Sequence, residues 1–126
     1  MMIRLLLLSL LCTACSSTPA PLWQETAHTQ LVNYTETYLA GDDRFAAAHF
    51  EKALAEIRKT GDPTLMGRAL LTRCALETAA LAANDCTIES EFLTDRENAA
   101  YHAFVTGRTA SAADLPKRYR PVAAAL

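Results

Sequence analysis

The sequence predicts an all-α domain, and three observations carry that expectation. Ala and Leu dominate the chain, and Gly is scarce, with four in 126 residues. No stretch sustains the apolar–polar alternation of a half-buried strand. Apolar residues recur instead at spacings of three and four, the period of an amphipathic helix.

The first helix is expected over residues 22–40. Pro21 suits an opening turn and Gly41 a stop. Trp23, Ala27, Leu31, Tyr34 and Tyr38 fall on one face, and Glu25, Thr29, Asn33 and Glu36 on the other. Gly41-Asp42 then makes a tight turn with a capping aspartate. A second helix follows over residues 43–59, with Ala46, Ala47, Phe50, Ala53, Leu54 and Ile57 as its apolar face. Thr60-Gly61-Asp62-Pro63 stops it and starts another, with Gly61 at a helix end, Asp62 as N-cap and Pro63 as first helical residue. The third helix, over residues 63–83, carries apolar residues on two sides. Leu65, Ala69 and Leu76 form one set; Leu70, Leu71, Cys74 and Leu81 form the other. Such a helix must be covered twice, which places it at the centre of the domain.

Beyond Cys86 the periodicity weakens. Residues 87–93 read as a short helix. Thr94 and Glu97 have the spacing of a capping box that opens a helix over residues 95–106, and Gly107 ends it. Ser111–Asp114 makes one turn before Leu115-Pro116. Pro121–Leu126 reads as a helix opening that stops after one turn, where an isolated helix is marginal. It either docks on the domain or continues in a longer protein; the second is the expectation.

At the N-terminus, Arg4 precedes the apolar run Leu5–Ala14, about ten residues and too short to span roughly 30 Å of hydrocarbon. Small Ala14 stands before Cys15, and the polar, Pro-containing stretch Ser16–Pro21 follows. This pattern resembles a bacterial lipoprotein signal peptide. The resemblance implies cleavage after Ala14, removal of residues 1–14, and acylation of Cys15 with diacylglyceryl and a further chain such as palmitate. Residues 15–21 become a lipidated tether and residues 22–126 the helical domain. Cys12 stands where such signals usually carry Leu and is the competing acceptor. Leu11 before it is bulky where the pattern wants a small residue, which favours Cys15. Two or more acyl chains anchor stably where one is marginal, at about 0.8 kcal/mol per buried methylene. Ser16, not Asp, follows the cysteine, which for a Gram-negative source implies the outer membrane, facing the periplasm.

The same resemblance changes the meaning of the remaining cysteines. With Cys15 lipidated and the leader gone, Cys74 and Cys86 are an even pair in an oxidising compartment and are expected to form a disulfide. Closing a loop of about a dozen residues contributes roughly 3 kcal/mol.

Gly41, Asp42, Ala46, Phe50, Ala53 and Leu54 stand at the spacings of the turn and second helix of a tetratricopeptide repeat. That resemblance covers residues 27–62 and implies antiparallel helical hairpins. A generic small helical bundle is the alternative, because Gln30, Asn33 and Tyr34 fall where Trp, Leu and Gly are typical, and no second copy follows.

The formal charge of −2 and a sequence pI near 5.9 give no electrostatic footprint for nucleic acid. The three histidines, His28, His49 and His102, lack the close spacing of a metal pair. No phosphate loop, nucleophile elbow or zinc-protease motif is present. The expectation is therefore a non-catalytic, membrane-anchored interaction module without a cofactor, whose partner is another envelope protein. The alternative is a small-ligand or lipid binder with its pocket beside Trp23, Tyr34, Tyr38 and Phe50.

Overall fold

The computed structural model describes residues 18–125 of the chain. Cys15, Cys12 and the leader lie outside the described residues. The architecture is all-α. Helix α1 spans Leu22–Leu39, α2 Asp43–Arg58 and α3 Pro63–Ala79. A 3-10 turn at Ser90–Leu93 leads into α4, Arg96–Val105; two further 3-10 turns, Ala112–Asp114 and Lys117–Tyr119, precede the one-turn α5, Arg120–Ala123.

Helices α1 and α2 form an antiparallel hairpin in close contact along their length. The turn between them follows from two residues. Gly41 takes φ +81°, and the Asp42 carboxylate accepts from the Phe45 N–H at 3.2 Å, capping α2. Asp62 repeats the device one helix later, accepting from the Thr64 N–H at 2.8 Å with Pro63 behind it. Pro21 occupies the N-cap of α1 itself, and its carbonyl accepts from Gln24 and Glu25.

The core is built between the hairpin and α3. Ala27 and Tyr34 come from α1; Ala46, Phe50, Leu54 and Ile57 from α2; Met66 and Ala69 from α3. Helix α2 therefore supplies the largest share. Burying side chains such as Leu54 and Ile57 contributes about 1.5–3 kcal/mol each. The opposite side of α3 is covered by the C-terminal segment. Gly67 passes against Phe92 and Asn98, Leu71 is 2% exposed, and Leu115 from the C-terminal loop is fully buried. The two-faced reading of α3 matches this placement, although the helix ends at Ala79 rather than near residue 83.

The C-terminal half is also held by polar pins. Arg96 meets Asp114 at 2.9 Å, and Arg120 donates from Nε to the Leu115 carbonyl at 2.8 Å. Tyr101 donates to the Tyr119 hydroxyl at 3.0 Å while the two rings stack at 4.8 Å. The cap of α4 differs from expectation. Asp95, not Thr94, is the N-cap, accepting from the Asn98 N–H at 3.0 Å. Thr94 turns back to donate to the Glu91 carbonyl.

Cys74 and Cys86, 12 positions apart in sequence, are joined by a disulfide with Cα atoms 5.3 Å apart. The bridge ties the chain leaving α3 back onto that helix. No helix among the described residues is long and apolar enough to cross a membrane.

Candidate functional site

Three helices meet at a cleft of about 380 Å³. Helix α1 brings Tyr34 and Tyr38, one helical turn apart on one face. Helix α2 brings Phe50 behind the small residues Ala46 and Ala47, with Asp43 and Glu51 at the rim. Helix α3 crosses with Arg73 and Glu77, again one turn apart. The volume falls in the range of small-ligand or side-chain sites.

The aromatic wall is continuous. The Tyr34 and Phe50 ring centroids lie 4.9 Å apart at 49°, and Tyr34 and Tyr38 lie 5.9 Å apart at 42°. These tilted arrangements suit the ring quadrupoles. The Arg73 guanidinium sits 4.8 Å from the Phe50 centroid, a cation–π distance.

Tyr34 is the most constrained group here. The residue is 3% exposed, and its hydroxyl has no hydrogen-bond partner. A buried polar group without a partner costs about 1–3 kcal/mol. Burial, reinforced by the Glu77 carboxylate, holds the phenol in its protonated form, with its pKa pushed up to about 12. The hydroxyl therefore keeps its proton throughout the neutral range, and its oxygen accepts from no donor.

Charge in the cleft is unbalanced. Asp43, Glu51 and Glu77 face the single guanidinium of Arg73. Glu51 also approaches Arg58 at 3.9 Å, but both are more than half exposed, so that pair contributes little. Among the described residues, Asp43 and Glu77 form no salt bridge. A narrower crevice of about 150 Å³ shares Arg73 and Glu77 with this cleft, and Asp85 and Cys86 line its far side. Asp85, next to the bridged Cys86, thus adds a carboxylate to the lining of the crevice that Arg73 shares.

Tyr34, Tyr38 and Phe50 come together as the helical spacing implies; Trp23 does not join them. It lies eleven residues before Tyr34, which is about 16 Å along a helix. Trp23 lines a separate cleft with Leu31, Leu65 and Arg68. A third cleft, about 520 Å³, has an apolar floor of Leu54, Ile57, Met66, Leu70 and Phe92. The charged side of the Tyr34 cleft was not anticipated from sequence. Its signal was the pair Arg73 and Glu77, four apart on a helix whose one other charged residue is Arg68.

The histidines have local partners or open surroundings. His49 Nδ1 is 2.8 Å from Gln30 Oε1, His102 bonds the Cys86 carbonyl, and His28 is exposed. No group of three or more metal-ligating side chains is gathered among the described residues. No protein-family model, curated protein or solved structure matches this chain.

Proposed function

We propose that this chain is a lipid-anchored cell-envelope protein that acts as a non-catalytic interaction module for another envelope protein. The observation that carries the reading is the Cys74–Cys86 disulfide. Such bridges persist in oxidising compartments, the side of the membrane to which a lipoprotein-type leader delivers its cargo. The N-terminal pattern, Arg4, the run Leu5–Ala14 and then Cys15, supports the same address. Residues 18–21, exposed and not helical, lead straight into α1 and suit a tether. Ser16 after the cysteine favours the outer membrane.

The test is expression of the full chain in a Gram-negative host with labelled palmitate. Label should enter the wild type and follow the outer-membrane fraction, and Cys15→Ala should lose both. A Cys15→Ala protein that stays membrane-bound would sink the anchor. The interaction role is tested by capture from envelope extracts with the lipidated chain; recovery of no specific partner counts against it. The Tyr34 cleft supports a second reading, a small-ligand or lipid binder in the same compartment.

A further inference from the structure

The cleft between α1, α2 and α3 combines three features that ask for the same guest. Its wall is aromatic, with Tyr34 packed against both Tyr38 and Phe50. Its rim carries Asp43, Glu51 and Glu77 against one Arg73, so negative charge is in surplus. Tyr34, 3% exposed, lines the cleft with a hydroxyl that bonds to nothing. Aromatic faces attract cations through their quadrupole, and carboxylates attract them by charge. Arg73 shows that the Phe50 face accepts a guanidinium at 4.8 Å.

We propose that this cleft receives the guanidinium or ammonium head of an arginine or lysine side chain presented by a partner protein. The inference rests on the interaction-module reading and gives the partner its chemistry: a basic segment. An anionic guest would meet the surplus of carboxylates, and a neutral one would leave them unpaired. The interaction-module reading favours a protein over a free amine as the source of that cation. Asp43 and Glu51 are exposed, so a side chain carried on a partner's surface can reach them. The head group would lie against Tyr38, the partly exposed ring of the wall, and pair with Glu77 and Asp43. A cleft between α3, α4 and the C-terminal turns, with Arg68, Lys117 and Arg118 set against Glu97, has the opposite balance and would repel the same guest.

The test is calorimetric titration of the intact, oxidised chain in detergent at low salt. The probes are a blocked octapeptide with one central arginine, its citrulline counterpart, and agmatine as the free cation. The arginine peptide should bind saturably, and citrulline should weaken it about tenfold or more by removing the charge. Tyr34→Phe and the pair Asp43→Asn/Glu77→Gln should each weaken it about three- to tenfold, and Glu25→Gln should not. Thermal unfolding checks that each variant remains folded; Tyr34→Phe removes a single oxygen. Equal binding of citrulline, or indifference to the carboxylate pair, overturns the proposal. Agmatine binding tighter than the peptide overturns the protein source. Self-association abolished by Asp43→Asn/Glu77→Gln would make the guest a second copy and overturn a separate partner. Failure of palmitate labelling alongside arginine binding sinks the anchor and spares the cleft; the reverse result sinks the cleft alone.

Discussion

His102 donates from Nε2 to the carbonyl oxygen of Cys86 at 2.9 Å. The direction is fixed by the other ring nitrogen. Arg108 Nη2 lies 2.9 Å from Nδ1, and a guanidinium can only donate, so Nδ1 accepts and the proton is on Nε2. The loop leaving α3 is therefore pinned twice, covalently to α3 through Cys74 and by this bond to α4. Cys86 itself holds φ +48°, a left-handed conformation that a non-glycine residue keeps only under constraint.

The two pins should be coupled. Replacing both cysteines by serine should cost about 3 kcal/mol by the chain-entropy argument. His102→Ala should cost about 1 kcal/mol in the bridged protein. In the serine background the loop is already loose, so the histidine substitution should cost markedly less. Urea denaturation of the four proteins measures this cycle. Strict additivity would show that the His102 bond does not depend on the bridge.

Leu81 stands where two other helices of this fold place glycine. Gly41 and Gly107 follow α1 and α4 with φ of +81° and +72°. In each, the N–H of that residue bonds three residues back and the next N–H five back: Gly41 to Tyr38 and Asp42 to Thr37, Gly107 to Phe104 and Arg108 to Ala103. Leu81 to Thr78 and Ala82 to Glu77 repeat the pattern after α3, with φ +57° on a leucine that is 92% exposed. The left-handed conformation costs a side-chain-bearing residue about 1–2 kcal/mol, partly offset by the entropy a glycine loses. Leu81→Gly should therefore stabilise by about 1 kcal/mol, seen as a higher urea midpoint at unchanged slope. A lower midpoint would show that the Leu81 side chain has a contact that matters.

That leucine also explains where the fold was illegible in the sequence. The helix starts were readable because Asp42 and Asp62 cap locally, with Pro63 beside the second. The ends of α1 and α4 were readable because glycine marks them. The end of α3, at Ala79, falls four residues before the end that periodicity implies, because an apolar residue carries its turn. At α4 two adjacent candidates competed, and the Asp95 carboxylate took the cap from the Thr94 hydroxyl. Tyr34, Tyr38 and Phe50 were readable as a cluster from helical period and hairpin pairing. Arg73 and Glu77 were not, because their meeting with Phe50 depends on how α3 crosses the hairpin, which no local pattern encodes.

Gly67 marks the closest approach between α3 and the C-terminal segment. A methyl group there would run into the Phe92 carbonyl oxygen and come within 2.7 Å of Asn98 Nδ2. Asn98, 3% exposed, spends that nitrogen on the Thr64 carbonyl at 3.0 Å. Gly67→Ala gains helix propensity but must push backbone aside. The overpacking should outweigh the gain and destabilise by about 1–3 kcal/mol. Thermal unfolding of Gly67→Ala beside Ala69→Gly, a helix-weakening comparison at a buried α3 site, would check it. A Gly67→Ala protein as stable as wild type would refute the close packing.

Alkaline pH should weaken the fold through its buried tyrosines. Burial, with help from Glu77, pushes the Tyr34 phenol up to about 12. Burial and the bond to Tyr119 push Tyr101 up as well. In the unfolded chain both ionise near the ordinary value of about 10. Below that, both states hold their protons and these groups add no pH dependence. Above it the native state binds more protons than the unfolded one, so stability falls as pH rises until the native phenols ionise in turn. Urea stability should therefore be insensitive to these groups from about pH 8 to 9.5 and decline beyond about 10. Tyr34→Phe and Tyr101→Phe should each make the decline shallower, with fewer phenols titrating at 295 nm as a direct readout. A decline of the same steepness in Tyr34→Phe would show that its hydroxyl is solvated in the native state.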